Sequence, residues 1–311
     1  MFKAITTASC LAVVASSAIA ANLTAYYDFE GTGADRFDDP AGTFADDLAG
    51  GQANFVGSGD TPGAFAGTQS VSFDGSYTLY TDAYTTDLGP DPNSWTIMFW
   101  IKAEDVLQEN NNTRLMTSRK KPDNSNTTLQ FWQIEGFGDP DNNDGNPNND
   151  GQKGDDLDVR MNPGYGDLWF GDDATDALAR ADQGEVGPAF PQWRHVAIVV
   201  SNSGWTDGGA YGETFVDGVS VGSHTENDLW DGMSVGNAEG QLIIGGAQEG
   251  NGSRDFTGLL DDVALFAGIV SDQDIADIAA GTLSPSSFIP EPSSLALLGL
   301  GGLMIARRRR D

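Results

Sequence analysis

Short apolar runs closed off by Gly, Asp, Asn or Pro recur from one end of the chain to the other. They are rich in β-branched and aromatic residues, and side chains alternate faces along a strand, so the pattern predicts strands and tight turns. The expected strands are Leu23 to Phe29, Ser70 to Phe73, Tyr77 to Thr81, Trp95 to Ile101, Arg114 to Thr117, Leu129 to Ile134 and Asp158 to Met161. They continue with Asp167 to Phe170, Trp193 to Val200, Glu213 to Val216, Val219 to Ser223, Gln241 to Ile244 and Leu260 to Phe266. Trp95 to Ile101 is apolar on both faces, which predicts a central strand covered on each side. Val216-Asp217-Gly218-Val219 predicts a hairpin, because Asp-Gly supplies the positive φ values of a two-residue type I′ turn. One helix is expected over Asp272 to Ala280. Ser271 is its N-cap, Asp272 and Asp274 lie in its first turn, Ile275 and Ile278 share a face and Gly281 stops it. The fold class is therefore all-β with one short C-terminal helix.

The two ends follow different patterns. Lys3 precedes an apolar run from Ala8 to Ala20 that closes on Ala18-Ile19-Ala20, so residues 1–20 read as a secretory signal peptide cut by signal peptidase before Ala21. Cys10 lies near the start of the apolar run, whereas a lipidation cysteine follows it. At the other end, Pro290-Glu291-Pro292 precedes an apolar stretch from Leu295 to Ala306 and the cluster Arg307, Arg308, Arg309 and Arg310. A dozen helical residues span roughly 18 Å, short of the ~30 Å hydrocarbon core, so this is a transient anchor with its arginines on the cytoplasmic side. In order and position these three parts resemble the PEP-CTERM sorting signal. The resemblance implies processing near Pro-Glu-Pro by an exosortase in the inner membrane of a Gram-negative bacterium, then release to the cell surface or its extracellular matrix. The expected division is a signal peptide at 1–20, a β domain at 21–283, a linker at 284–292 and the sorting helix with its Arg cluster at 293–311.

Composition narrows the partners. The chain carries 46 Asp and Glu against 16 Lys and Arg, a formal net charge of −30 at pH 7, and loss of the Arg cluster would leave it more acidic still. Too few cations remain to neutralise phosphates, which argues against nucleic acid and anionic lipid and favours divalent cations. The single cysteine lies in the signal peptide, so disulfides, thiolate metal sites and a Cys nucleophile are excluded from the mature chain.

Seven motifs in register carry a second resemblance. They are Ala25-Tyr26-Tyr27-Asp28-Phe29-Glu30-Gly31, Val71-Ser72-Phe73-Asp74-Gly75, Trp95 to Lys102, Trp193-Arg194-His195-Val196-Ala197, Phe215 to Val219, Leu242 to Gly246 and Phe256 to Phe266. Together they resemble the LamG-like domain of the concanavalin A-like superfamily. The resemblance implies a jelly-roll sandwich of two antiparallel sheets, and residues 110–192, an acidic insertion, depart most from it.

Three kinds of chemistry are candidates. The insertion holds Asp139, Asp141, Asn143, Asn146, Asn148 and Asp150 around Gly145 and Gly151, hard oxygen donors at alternate positions that suit Ca²⁺. Leu157 stands where an EF-hand needs its bidentate Glu, so the choice lies between a looser Ca²⁺ loop and a solvated one. Asp28 and Asp262 form a second candidate, since the resemblance implies a structural Ca²⁺ between first and last strands in some members; the alternative is that Asp261 and Asp262 bond loop backbone. Of seven tryptophans, Trp95, Trp100 and Trp193 are expected in packing, while Trp132, Trp169, Trp205 and Trp230 stand nearer loops and could stack on sugar rings. His195 and His224 are far apart, which disfavours zinc. The resemblance also brings in glucanases, but their E-x-D-x-x-E pattern does not occur. The expected function is non-catalytic binding of extracellular polysaccharide or a surface protein. The alternatives are a structural matrix component and a divergent glycoside hydrolase.

Overall fold

The computed structural model describes residues 21–31, 48–50, 56–63, 67–81, 94–103, 113–119, 130–137, 156–161, 168–170, 192–201, 210–226, 241–246 and 255–289. The strands among them are β1 (Asn22–Tyr27), β2 (Leu48–Gly50), β3 (Val56–Ser58), β4 (Ser70–Asp74), β5 (Leu79–Thr81), β6 (Ser94–Ala103), β7 (Thr113–Arg119) and β8 (Gln130–Phe137). The remainder are β9 (Asp156–Met161), β10 (Leu168–Phe170), β11 (Arg194–Ser201), β12 (Ala210–Val216), β13 (Val219–Glu226), β14 (Gln241–Ile244) and β15 (Thr257–Ala267). A helix α1 (Asp272–Ala279) and a 3-10 turn η1 (Pro285–Phe288) follow. Every strand expected from the sequence is present. The two unexpected ones, β2 and β3, have three residues each, too few to display an alternation.

The strands form two antiparallel sheets. One runs β13-β12-β11-β6-β15-β4-β3, with β1 also on β15; the other runs β10-β9-β8-β7-β14-β5-β2. Residues 110–192 supply β7 to β10, four of the second sheet's seven strands, so the acidic insertion still builds the sandwich.

Strand β6 lies between β11 and β15, and it is apolar on both faces because each face meets a buried cluster. Trp95, Ile97, Phe99 and Ile101 enter the main core with Phe73, Leu115 and Ile134. Met98 belongs instead to a second cluster on the outer face of the same sheet, with Ala197, Val199, Phe266, Ile275 and Ile278. That face needs a cover because it is apolar, and α1 provides it through its two buried isoleucines.

Local chemistry fixes how the cover is seated. Ser271 Oγ accepts from Asp274 N at 3.2 Å, the expected N-cap. The helix ends in a Schellman motif: Gly281 has φ +70°, its N–H bonds Ile278 O at 2.9 Å and Thr282 N–H bonds Asp277 O at 2.9 Å. Asp217 and Gly218 have φ of 49° and 79°, the type I′ pair. A Cβ on Gly218 would come within 2.8 Å of Ala276 Cα, so the hairpin turn abuts the helix directly. Ser271→Ala should cost about 1 kcal/mol, read as a fall of roughly 2–4 °C in thermal denaturation.

The packed chain extends beyond the residue where a linker was expected to start. Leu283, Phe288 and Ile289 pack on the second cluster, and Pro285 is buried in η1. No helix among the described residues is long and apolar enough to cross a membrane. The signal peptide and the sorting helix lie outside the described residues.

Candidate functional site

The most concentrated set of buried charges lies where the first and last strands meet. β15 pairs with β4 over Thr257 to Leu260 and with β1 over Val263 to Ala267. Between the two partners its register slips against β6, where Asp261 faces Trp100 and Ala264 faces Met98. Asp262 occupies this bulge at φ 49°, a conformation Asp tolerates better than β-branched or bulky residues. Its Oδ1 accepts from Tyr26 Oη at 2.5 Å, and its N–H donates to Asp261 Oδ1 at 3.0 Å. Just past β1, Asp28 Oδ1 accepts Glu30 N at 3.1 Å. Glu30 in turn holds the segment before β4, accepting Thr68 N at 2.6 Å and Gln69 N at 2.9 Å.

Asp28, Asp261 and Asp262 thus gather around one phenol, with Glu30 acting on the two aspartates of β15. Asp261 and Asp262 are 2% and 7% exposed. Burial, and then their acidic neighbours, push both well above the usual carboxylate range. Burial also raises Asp28 and, more strongly, Tyr26. Among the described residues no three His, Cys, Asp or Glu side chains converge as a cation's ligands. Ca²⁺ wants six to eight oxygens, whereas Asp28 and Asp261 each give an oxygen to a backbone N–H and Asp262 gives one to Tyr26. Of the backbone bonding kept open above for Asp261 and Asp262, the structure contains that of Asp261, while Asp262 bonds the Tyr26 hydroxyl.

A row of side chains continues from Asp261 through Trp100 to His195 across β15, β6 and β11. His195 is 1% exposed, its ring lies 5.2 Å from that of Trp100 at 64°, and neither ring nitrogen is hydrogen bonded. Burial presses its pKa down to about 3, so it is neutral in ordinary buffers and serves packing. Trp193 differs from its expected core role. It is only partly buried, its indole N–H donates to Asp60 Oδ1 at 2.8 Å, and Asp60 also pairs with Lys102. Those two hydrogen bonds hold the Asp60 carboxyl below its usual range.

Two stretches have the G-x-S-x-G spacing of a serine hydrolase, Gly218 to Gly222 and Gly232 to Gly236. The first is no nucleophile elbow: Ser220 lies in a strand after a hairpin turn, and its hydroxyl donates to Glu213 Oε1 at 2.5 Å. The second lies outside the described residues.

The sugar-stacking candidates fall partly within the described chain. Trp132 on β8 pairs with Met161, and Trp169 on β10 pairs with Arg160, so the two stand in adjacent rows of one ladder. The acidic segment springs from the Phe137 and Asp156 pair, five residues along β8 from Trp132, or roughly 17 Å at strand rise. Trp205, Trp230, Asp139, Asp141, Asn143, Asn146, Asn148 and Asp150 lie outside the described residues. So do Ala18, Ala20, Pro290, Glu291, Pro292 and Arg307 to Arg310.

Sequence reasoning passed over Asp255. It is 8% exposed, neither carboxylate oxygen has a hydrogen-bond partner, and burial raises its pKa to about 7. A Cβ on Gly246 would lie 2.4 Å from its Oδ1. In sequence it is one more Asp ahead of a strand, which no local pattern marks as buried.

With this geometry in hand, the family description of the Concanavalin A-like lectin/glucanases superfamily fits residues 65–276. The chain belongs to that superfamily. A PEP-CTERM protein-sorting motif fits residues 288–310 of this superfamily member. No curated protein is detectably similar to it in sequence. Among solved structures it is similar to the binding domain of Paraclostridial Mosquitocidal Protein 1, at 15% identity and TM-score 0.51 over 83% of this chain and 52% of that one. It is also similar to the Botulinum Neurotoxin Type G receptor binding domain, at 11% identity and TM-score 0.52 over 83% and 51%. Domain 4 of AbnA, a GH43 extracellular arabinanase from Geobacillus stearothermophilus in complex with arabinotriose, aligns at 18% identity and TM-score 0.49 over 84% and 99%. The chain spans about half the length of the two toxin chains, and at these identities the likeness is one of fold. The superfamily member is thus a lectin-like sandwich joined to a sorting motif.

Proposed function

We propose that this superfamily member is an exported, non-catalytic binding protein that recognises extracellular carbohydrate or a surface protein. In this reading signal peptidase removes residues 1–20, an exosortase processes the C-terminal motif, and the domain reaches the surface or matrix of a Gram-negative bacterium. The observation that carries the non-catalytic part is where the perturbed groups lie. Asp255, Asp261, Asp262 and His195 are 8%, 2%, 7% and 1% exposed. Glycoside hydrolysis needs two carboxyls flanking an accessible scissile bond, and groups closed into packing do not offer that. Trp132, Trp169, Trp205 and Trp230 are the stacking residues of this reading. Ca²⁺ enters through Asp139, Asp141, Asn143, Asn146, Asn148 and Asp150, or between Asp28 and Asp262.

Calorimetry of the processed protein against the exopolysaccharide of its own host tests the reading. Saturable binding is expected, weakened about tenfold by Trp132→Ala or Trp169→Ala, the equivalent of roughly 1.4 kcal/mol of lost stacking. A chelator should weaken binding if Ca²⁺ orders the acidic segment. Absence of binding to any polysaccharide or surface protein would favour a structural matrix component, and release of reducing ends would show a glycoside hydrolase.

A further inference from the structure

The sorting motif begins inside the folded domain. It covers residues 288–310, yet Phe288 and Ile289 pack on the second cluster. The segment that brings them there is tied down along its length. After the Schellman turn, Leu283 N–H bonds Asp277 O at 3.2 Å, so the chain turns back against the helix it has just left. Ser284 then caps η1, its Oγ accepting Ser286 N at 3.3 Å, and Ile289 N–H closes the turn on Ser286 O at 3.2 Å. The Phe288 ring stands edge-on to Phe266 with centroids 5.3 Å apart. Phe266 is fully buried, and it sits on β15 opposite Leu23 of β1. The same cluster contains Ala21, the residue expected to become the N-terminus, at 5% exposure. Ala21 and Ile289 therefore meet in one cluster, and no spare residue separates the packed Ile289 from Pro290.

We infer that residues 283–289 form a strap belonging to the mature fold, and that C-terminal processing falls on the far side of Ile289. This rests on the reading that the motif is processed. A cut before Phe288 would remove an aromatic lid from Phe266 and strip apolar contacts from β1, leaving exposed a face that α1 covers only in part. A cut at or beyond Pro290 keeps Leu283, Phe288 and Ile289 on the chain. The first two residues of the motif then belong to the packed strap, and the enzyme must accept a folded neighbour on that side.

The full chain, expressed in an exosortase-bearing Gram-negative host, should yield a released product whose mass places its last residue at or after Ile289. In that full chain Phe288→Ala should lower the melting temperature by about 5 °C, and Phe288→Leu by less than half as much. A product ending before Phe288 overturns the inference, as does an unchanged melting temperature in Phe288→Ala. Recovery of chain still ending in Arg307 to Arg310 would instead sink the processing reading, while the two melts report on the strap separately.

Discussion

Gly245→Ala is expected to be among the most damaging single substitutions in the domain, lowering the melting temperature by roughly 10 °C or preventing folding altogether. Gly245 has φ +88°, where an L side chain is strained by about 1–2 kcal/mol. A Cβ there would also lie 2.3 Å from Cδ1 and Cε1 of Phe73. Phe73 has little room to retreat, being 1% exposed and packed at 5.9 Å against Phe256. Overpacking of this kind costs ~1–3 kcal/mol or more, and the sum is a sizeable part of a domain's typical ~5–15 kcal/mol. The backbone cannot easily shift either. Gly245 N–H bonds Leu115 O at 2.7 Å and its carbonyl accepts Phe256 N at 2.9 Å, joining β7 to the approach to β15. Gly63 provides the control, with φ +71° but nothing within 4 Å of where a methyl group would stand, so Gly63→Ala should show the conformational cost alone. Thermal unfolding by circular dichroism reads both, and equal melting temperatures for the two variants would refute the packing argument.

Gly245 also shows what the sequence could and could not disclose. The motif Leu242 to Gly246 marks a strand and its turn, because that information is local. Which ring blocks a methyl is decided by Phe73, far away in sequence on the other sheet. The same division runs through the molecule. The Asp217-Gly218 hairpin, the Ser271 cap and the doubly apolar β6 were legible because a few adjacent residues determine each. The Asp261-Asp262 bulge was not, since a bulge exists only relative to partners, here β4 on one stretch of β15 and β1 on the next. The proximity of Asp28 and Asp262 could be anticipated from the family resemblance, whereas the Tyr26 hydroxyl that occupies Asp262 could not. Trp193 looked like a core residue because it opens an apolar strand, yet Asp60 from the loop after β3 holds it near the surface. Within the expected linker at 284–292 the Ser and Pro residues are loop formers, and the apolar contacts of Phe288 and Ile289 become visible only once the second cluster is assembled.

Acidification from pH 9 to about 6 should raise the melting temperature, the reverse of the common case in which native carboxylates are stabilised by partners. Asp255 has a folded pKa of about 7 against 3.8 for the unfolded chain, and burial is the cause. Its contribution to stability is fully present below about pH 3.8 and lost as pH rises through 7. Asp261 and Asp262 are displaced in the same direction by burial and by their acidic neighbours, so the losses accumulate on the alkaline side. His195 works against them at the other end. Its pKa is pressed from 6.5 to about 3, so the unfolded chain takes up a proton below pH 6.5 that the folded chain refuses, which by itself lowers stability on further acidification. Three displaced carboxyls outweigh one imidazole, so below pH 6.5 the rise is only slowed and the maximum lies at about pH 4, where the unfolded carboxylates also take up protons. Each unit of displacement is worth about 1.4 kcal/mol, so Asp255 alone contributes on the order of a few kcal/mol, or roughly 5–10 °C between the limits. Asp255→Asn separates this group from the rest. The amide keeps the shape and carries no charge, and an unpaired buried amide costs less than an unpaired buried carboxylate. The variant should therefore melt above the parent at pH 8, lose that advantage near pH 5, and show a flatter profile between. A parent whose melting temperature is constant or falls from pH 9 to 6, or an Asp255→Asn chain less stable than the parent at pH 8, would show that these carboxyls are solvated or paired and not buried alone.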